Sequence, residues 1–489
     1  MAKPARAPAP QYDESDRSQP LYANRIKVYP KSVDGPIRRI KWAVLSLCLA
    51  VYYLAPWLRW DRGPGRPGQA LLIDMPARRA YVFGLEIWPQ EVIYITGLLI
   101  LGAVALFLVT SLFGRLWCGF ACPQTVWTDL FMWAERLIEG DRAQRMRRDR
   151  APLSLDKAWR KAAKHLVWLL IALATGGAWV FYFNDAPTVA VELLTGSASA
   201  TVYGFVALFA ATTYLLAGWA REQVCTYMCP WPRIQAAMVD DRTLTVTYRA
   251  WRGEPRGKLK AAAADAPRGD CIDCTACVQV CPTGIDIRNG LQLSCIGCGL
   301  CIDACDDIMV RVGRPKGLIA FDTPANEAVR GGGLSLRAHI LRPRTFIYAL
   351  VLGLVAALLV GSLATRSLLE INVLPERSPL FVTLSDGSIQ NRYTVKVMNK
   401  TPEHREVRIR LTGLHEAYLS VAGHEDERDR PAVLGRIVTV KPDSVGTVHV
   451  TVAAPRLALD AASTPVAFVV TAGDGETAVH ATHFQGPNP

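Results

Sequence analysis

Eight cysteines between Cys271 and Cys305 carry the strongest chemical signal in this 489-residue chain. Cys271, Cys274, Cys277 and Cys281 give C-x2-C-x2-C-x3-C followed by Pro282, and Cys295, Cys298, Cys301 and Cys305 repeat the spacing with Asp306 in place of the proline. Three thiolates on one tight loop reach three corners of an iron–sulfur cubane, while the fourth is displaced towards a second cluster. The spacing therefore predicts two [4Fe–4S] clusters with crossed ligands. Cys271, Cys274, Cys277 and Cys305 would hold one, and Cys281, Cys295, Cys298 and Cys301 the other. Without its proline, the turn at Cys305 is expected to be looser. A pair of four-cysteine zinc sites is the alternative, but zinc motifs pair C-x2-C with a distant second half rather than with a lone crossing ligand. Clusters with crossed ligands lie close together, which suits one-electron relay.

Four more cysteines form two C-x-x-x-C-P motifs, Trp117-Cys118-Gly-Phe-Ala-Cys122-Pro123 and Val224-Cys225-Thr-Tyr-Met-Cys229-Pro230. Each follows an apolar stretch, so a duplicated two-helix unit is expected, with the motif at equivalent depth in each half. On a helix, i and i+4 share a face, and each pair would then offer two sulfurs in one direction. Four convergent thiols make a soft site suited to Cu(I), with zinc as a rival. The plainer alternative, small buried residues beside helix-ending prolines, accounts less well for the recurrence. Met228 could add a thioether but reads as packing, and Cys48 reads as core.

The elements that must position these thiols are membrane spans. Apolar stretches run over 41–58, 91–113, 165–183, 198–220 and 345–363, each near the ~20 residues that cross a bilayer. Hydrophobic residues make up 51% of the chain at a mean hydropathy of +0.16, which fits a mixture of spans and water-facing domains. From Glu370 onwards there are 12 Lys and Arg against 14 Asp and Glu, so the whole surplus of +12 lies upstream. That surplus fits positive-inside loops better than a nucleic-acid surface. Arg25, Lys27, Lys31, Arg38, Arg39 and Lys41 precede or open the first span, and the connection Gly114–Lys164 carries 11 basic residues, against none in Asn184–Ser197. The N-terminus, the clusters and both thiol motifs are thereby expected on the cytoplasmic side of a bacterial inner membrane. Arg59, Arg62, Arg66, Arg78 and Arg79 run against that rule in a loop expected outside.

An odd number of spans sends the last ~120 residues to the periplasm. Alternating or β-branched runs at Tyr393–Met398, Val407–Leu411, Ile437–Val440, Thr447–Val452 and Val466–Thr471 predict a small antiparallel sandwich of immunoglobulin type without its cysteine pair. The expected architecture is thus multi-domain, an α-helical membrane bundle of about five spans with an inserted dicluster ferredoxin-like domain and a C-terminal all-β immunoglobulin-like sandwich. Its parts are a disordered, basic tail (1–40), a four-span region with both C-x-x-x-C-P motifs (41–230), the dicluster domain (231–344), a fifth span (345–365) and the sandwich (366–489). Met1–Pro20 reads as a polar tail rather than a cleavable leader.

Absences narrow the chemistry. Only His165 and His339 lie outside the sandwich, too few for bis-histidine haem, and neither a dinucleotide fingerprint nor a P-loop occurs. Gly331-Gly332-Gly333 reads as a joint. His404, His415, His424, His449, His480 and His483 could include a copper site, though scattered surface histidines are the simpler reading.

On these residues the chain closely resembles the CcoG family, also called FixG or RdxA, accessory proteins of cbb(3)-type cytochrome c oxidase. The resemblance rests on both C-x-x-x-C-P motifs, the Cys271–Cys305 region with Cys281-Pro-Thr-Gly-Ile-Asp-Ile-Arg-Asn-Gly290, and the sandwich after a fifth span. It implies a cupric reductase that converts Cu(II) to Cu(I) for oxidase maturation, with Cys118, Cys122, Cys225 and Cys229 as the copper-handling thiols. Implied partners are membrane lipid, oxidase subunits or copper-delivery proteins, and an electron donor still to be identified; nucleic acid is not among them. A quinol-linked ferredoxin subunit of NapH type, feeding a respiratory reductase, shares the motifs but is not expected to carry the sandwich. A non-catalytic assembly scaffold is the third reading.

Overall fold

The structure, a computed structural model, describes residues 27–63, 65–258, 268–329, 340–422, 431–432, 435–459 and 461–487. The polar tail, Arg25, Gly331–Gly333, Arg337, His339 and His424 lie outside the described residues. The chain divides into two compact units, residues 1–356 and 357–489.

Five helices among the described residues are long and apolar enough to cross a membrane: Pro36–Trp57, Pro89–Phe113, Leu155–Phe181, Ala200–Ala220 and Pro343–Ala364. The first starts five residues before the expected boundary, because Pro36 sits in its opening turn, where a missing N–H costs nothing. Its free N–H groups at Ile37 and Arg38 donate to the Asp303 carboxylate (3.3 and 2.7 Å), a cap supplied from the dicluster domain. The second and fifth spans are almost wholly unburied, as apolar helices facing lipid would be. The third and fourth meet closely: a Cβ on Gly176 would stand 2.5 Å from the Val206 carbonyl, so only glycine allows this approach.

The connection holding the discordant arginines is a folded sheet. Strands Leu71–Asp74, Arg79–Val82 and Leu85–Ile87 pair antiparallel in sequence order. Arg62 donates to the carbonyls of Phe83, Pro67, Gln69 and Ala70 at 2.6–2.8 Å, Arg79 pairs with Glu86 at 2.7 Å, and Arg59 with Asp185 at 2.6 Å. Most of these arginines have structural partners, so their number is a poor guide to sidedness. After Cys122 runs an amphipathic helix, Pro123–Glu139, that carries buried acids into the bundle. Asp129 meets Arg38 (2.7 Å) and Lys41 (3.4 Å), while Glu135 meets Arg145 (2.6 Å) and Arg221 (2.9 Å).

In the dicluster region, short helices Ala276–Val280 and Leu300–Arg311 lie beside the strand pair Thr245–Tyr248 and Ile319–Asp322. The second unit is the expected antiparallel sandwich. One sheet orders Tyr418–Val421, Ser444–Ala454, Ile389–Asn399 and Leu369–Pro375, with Val382–Thr383 paired to the third. The other orders Arg436–Val440, Arg405–Thr412, Ser463–Ala472 and Thr477–Gln485. Alternate residues face inward: Tyr393, Val395 and Val397 from one sheet meet Ile409, Leu411, Phe468 and Val470 from the other.

Candidate iron–sulfur and thiol site

The two triplet loops share one backbone. Asp273 and Thr275 (φ 52° and 58°) in the first occupy the positions of Gly297 and Gly299 (φ 69° and 70°) in the second. Left-handed residues alternating with right-handed ones curl the chain into a concave nest of N–H groups, which suits an anionic cluster. Cys281 follows Ala276–Val280 with extended backbone (φ −66°, ψ 122°), as the residue before a proline must, and so turns away from its triplet. At Cys305 the expectation of a looser turn is corrected. With Asp306 in place of proline the helix runs on to Arg311, and the Asp306 carboxylate accepts from Gly317 N–H at 2.8 Å.

Cys305 and Cys301 sit among different sets of thiols. Burial pushes the Cys305 thiol up to about 12, and its nearest thiol neighbours in electrostatic terms are Cys277, Cys274 and Cys271. Burial likewise raises Cys301, whose neighbours are Cys298, Cys295 and Cys281, with Cys277 after them. Each group could hold one cubane. All eight are free thiols, and among the described residues no three His, Cys, Asp or Glu side chains stand close enough for a single ion.

The C-x-x-x-C-P pairs do not lie on continuous α-helices, which corrects the same-face expectation. Cys118 sits in the one-turn helix Leu116–Phe120, but Cys122 is extended (φ −60°, ψ 129°) ahead of Pro123. Cys225 lies in a π-turn, Val224–Met228, and Cys229 is again extended before Pro230. The proline that marks each motif also breaks its helix. Nor do any three of these four thiols stand close enough for a single ion, although they share one neighbourhood. Burial pushes Cys225 up to about 12, with Cys122, Cys118 and Cys229 as the thiols around it. Cys118 Sγ lies 3.1 Å from Gln235 Oε1, and Gln235 reaches Thr110 at 3.3 Å. Met228 is exposed, which corrects the expectation that it packs.

The thiols abut the second triplet loop directly. A Cβ on Gly119 would lie 2.8 Å from Cys298 Cα and 2.9 Å from both Cys298 N and Ile296 O. Cys118, Val280, Ile296, Cys298, Leu300 and Ala304 form one buried apolar group, with Cys225 and Trp231 packed on it. Protein matter rather than solvent therefore fills the space between the membrane-edge thiols and one cluster site. Sequence reasoning missed Gly119, Gln235 and Asp303; a glycine between two functional cysteines was the one available signal.

Among the described residues, the strand histidines of the sandwich fall on two sheets. His449 lies on Ser444–Ala454, His480 and His483 on Thr477–Gln485 of the other sheet.

Comparison with known proteins identifies iron–sulfur domains and the C-terminal sandwich. Residues 220–324 match a 4Fe-4S dicluster domain, residues 95–140 a 4Fe-4S binding domain, and residues 359–487 the IG-like fold at the C-terminus of FixG, putative oxidoreductase. The nitrogen fixation protein FixG of Rhizobium meliloti is 49% identical over 89% of this chain and 88% of its own length. Protein RdxB of Cereibacter sphaeroides is 52% identical (83% and 86% covered), and protein RdxA of the same organism 47% (90% and 92%). The crystal structure of a FixG-related protein from Vibrio parahaemolyticus aligns with 24% of this chain and 96% of its own, at 23% identity and a TM-score of 0.20. With two iron–sulfur domains, several apolar helices and an oxidoreductase-like role, the chain belongs to the FixG/RdxA family.

Proposed function

We propose that this multi-pass protein is a cupric reductase serving assembly of cbb(3)-type cytochrome oxidase. Cys271, Cys274, Cys277 and Cys305 hold one [4Fe–4S] cluster, and Cys281, Cys295, Cys298 and Cys301 the other. When bound, the clusters supply reversible one-electron storage. Cys118, Cys122, Cys225 and Cys229 receive Cu(II), and one electron arriving across the Gly119–Cys298 contact converts it to Cu(I). Thiolate ligation favours the reduced ion, so ligand choice and electron transfer act in the same direction. The observation that supports this reading is the seating of Gly119 on the Cys298 backbone, with Cys118 and Cys225 packed in the same buried group as that loop.

Lys and Arg placement puts the N-terminus, clusters and thiols on the cytoplasmic face of the inner membrane. Five crossings then leave the sandwich in the periplasm, where it docks an oxidase subunit or a copper-delivery protein. The test uses anaerobically purified full-length protein, reduced with dithionite and freed of excess reductant, then mixed with Cu(II) and a Cu(I)-specific chelator. A variant with serine at all four membrane-edge cysteines should keep both clusters and lose most of its Cu(I) formation, a drop of about tenfold or more, as loss of a complete soft ligand set implies. Unchanged Cu(I) formation would overturn the thiol assignment.

A further inference from the structure

An apolar groove of about 640 Å³ runs between the third and fourth spans, lined by Leu166, Leu169, Leu173, Ala207, Ala211 and Leu215, with His165 and Tyr214 at one end. His165 also lines a second cavity, of about 350 Å³, walled by Lys161, Lys164, Trp168, Trp219, Arg221 and Glu222. One imidazole thus lines both an apolar groove and a polar chamber. Its Nδ1 shares a hydrogen bond with the Tyr214 hydroxyl (2.8 Å), and the Trp219 ring stacks on it (centroids 6.0 Å apart, 22° between planes). An ionisable side chain inside a span facing such a cavity marks a functional site by default, and the copper chemistry above leaves it unused.

We infer that this paired cavity binds a membrane hydroquinone, which is the electron donor. The inference rests on the proposed cluster-to-copper relay and names what reduces it. Shape and charge select the ligand. An isoprenoid tail fits the alanine- and leucine-lined groove, and a ring with two hydroxyls fits a chamber offering an imidazole, a phenol and an indole face. A lipid phosphate would have to compete with carboxylates that already engage the cations of the chamber. Lys164 lies 3.2 Å from Glu139 and 3.8 Å from Glu135, Lys161 lies 3.0 Å from Glu139, and Arg221 lies 2.9 Å from Glu135. The chamber also adjoins the relay. Cys225 follows Glu222 by less than one turn, and Gln124, two residues after Cys122, donates to the Leu216 and Arg221 carbonyls (2.8 and 3.2 Å).

In the reaction, the hydroquinone gives up two electrons and two protons and leaves as quinone. The two clusters that the eight cysteines would hold would each take up one of these electrons. The two protons pass in turn through the His165 imidazole into the polar chamber and out to solvent. A two-electron donor and a one-electron acceptor, Cu(II), need a store of two single electrons between them, which two clusters provide.

The test mixes anaerobic full-length protein with a naphthohydroquinone carrying one isoprene unit and follows bleaching of cluster absorbance. Binding of the corresponding quinone is read separately, by quenching of tryptophan emission. The wild type should bleach. His165→Leu should bleach about 100-fold more slowly, the size of a lost general base, and Ala211→Trp should lose both quenching and bleaching. Both variants should bleach fully with dithionite and then form Cu(I) at the wild-type rate. Bleaching of the wild type by dithionite but not by the quinol would overturn the inference and leave the copper reading standing. Bleaching by quinol with no Cu(I) formed would do the reverse. Equal quinol rates in wild type and both variants, or a groove that retains only phospholipid, would also overturn it.

Discussion

The two cysteine triplets of the dicluster domain have the same backbone and opposite surroundings. In Cys271–Cys277 the left-handed positions are Asp273 and Thr275, Cys274 is exposed, and the loop is held from outside. Arg288 bonds Asp273 at 2.6 Å and both Asp286 oxygens at 2.7–2.8 Å. In Cys295–Cys301 those positions are glycines, Cys298 is buried, and the loop is pressed between the first span and the Cys118 motif. Identical ligand geometry is thus built from polar tethering on one side and close backbone packing on the other. The packed loop is the one that meets the membrane thiols, so its glycines serve the junction as well as the cluster.

The sharpest way to break this asymmetry is Gly119→Val. The new side chain must displace backbone at Cys298 and Ile296, with no flexible side chain to move instead. The second site should empty while the first survives, taking iron from about eight atoms per chain to about four. Iron analysis with EPR of the reduced protein checks this. Loss of iron from both sites, or from neither, would show that the two loops do not differ as described.

A smaller effect separates the left-handed positions themselves. Gly299→Ala places a Cβ at φ 70°, 3.1 Å from Ile37 and Phe321, and should cost about 1–2 kcal/mol. Thr275→Gly, at the equivalent place, removes a Cβ from φ 58° and should be neutral or stabilising by up to ~1 kcal/mol. Temperatures of half cluster loss for the two variants should fall on opposite sides of the wild type.

These contrasts explain what the sequence could and could not disclose. Cysteine spacing carried the crossed groups, because a cubane dictates its own ligand intervals. Span count, sandwich and thiol recurrence were equally legible, since bilayer thickness and strand alternation impose periods on the chain. The conformation of the C-x-x-x-C-P pairs was misread because the i, i+4 rule holds only inside a helix, and Pro123 and Pro230 each end one. The sheet at Leu71–Ile87 was missed for another reason: its strands are only three or four residues long, too short to show alternation, and the Arg62 bonds to carbonyls of the flanking loops leave no periodic trace. Asp303 capping the first span from 265 residues away is likewise invisible without tertiary structure.

The mildest prediction concerns the solvent-facing loop. The Arg288 hydrogen bonds outweigh burial and hold the Asp286 carboxyl below its usual range. A carboxyl depressed on folding stabilises the folded state above its unfolded pKa of ~3.9, and that contribution fades as pH falls through the folded value. Arg288→Ala removes the partner and leaves Asp286 near its ordinary range. At pH 7 the variant should release iron from the first site about fivefold faster to a chelator, equivalent to ~1 kcal/mol, with the second site unchanged. As pH falls below ~3.9 and on through the depressed Asp286 value, the wild type loses the same bonds by protonation, so the two proteins should converge only at the acid end of that window. A gap that persists in acid would mean that Arg288 acts through packing, and the first loop would then be held, like the second, by contact rather than by charge.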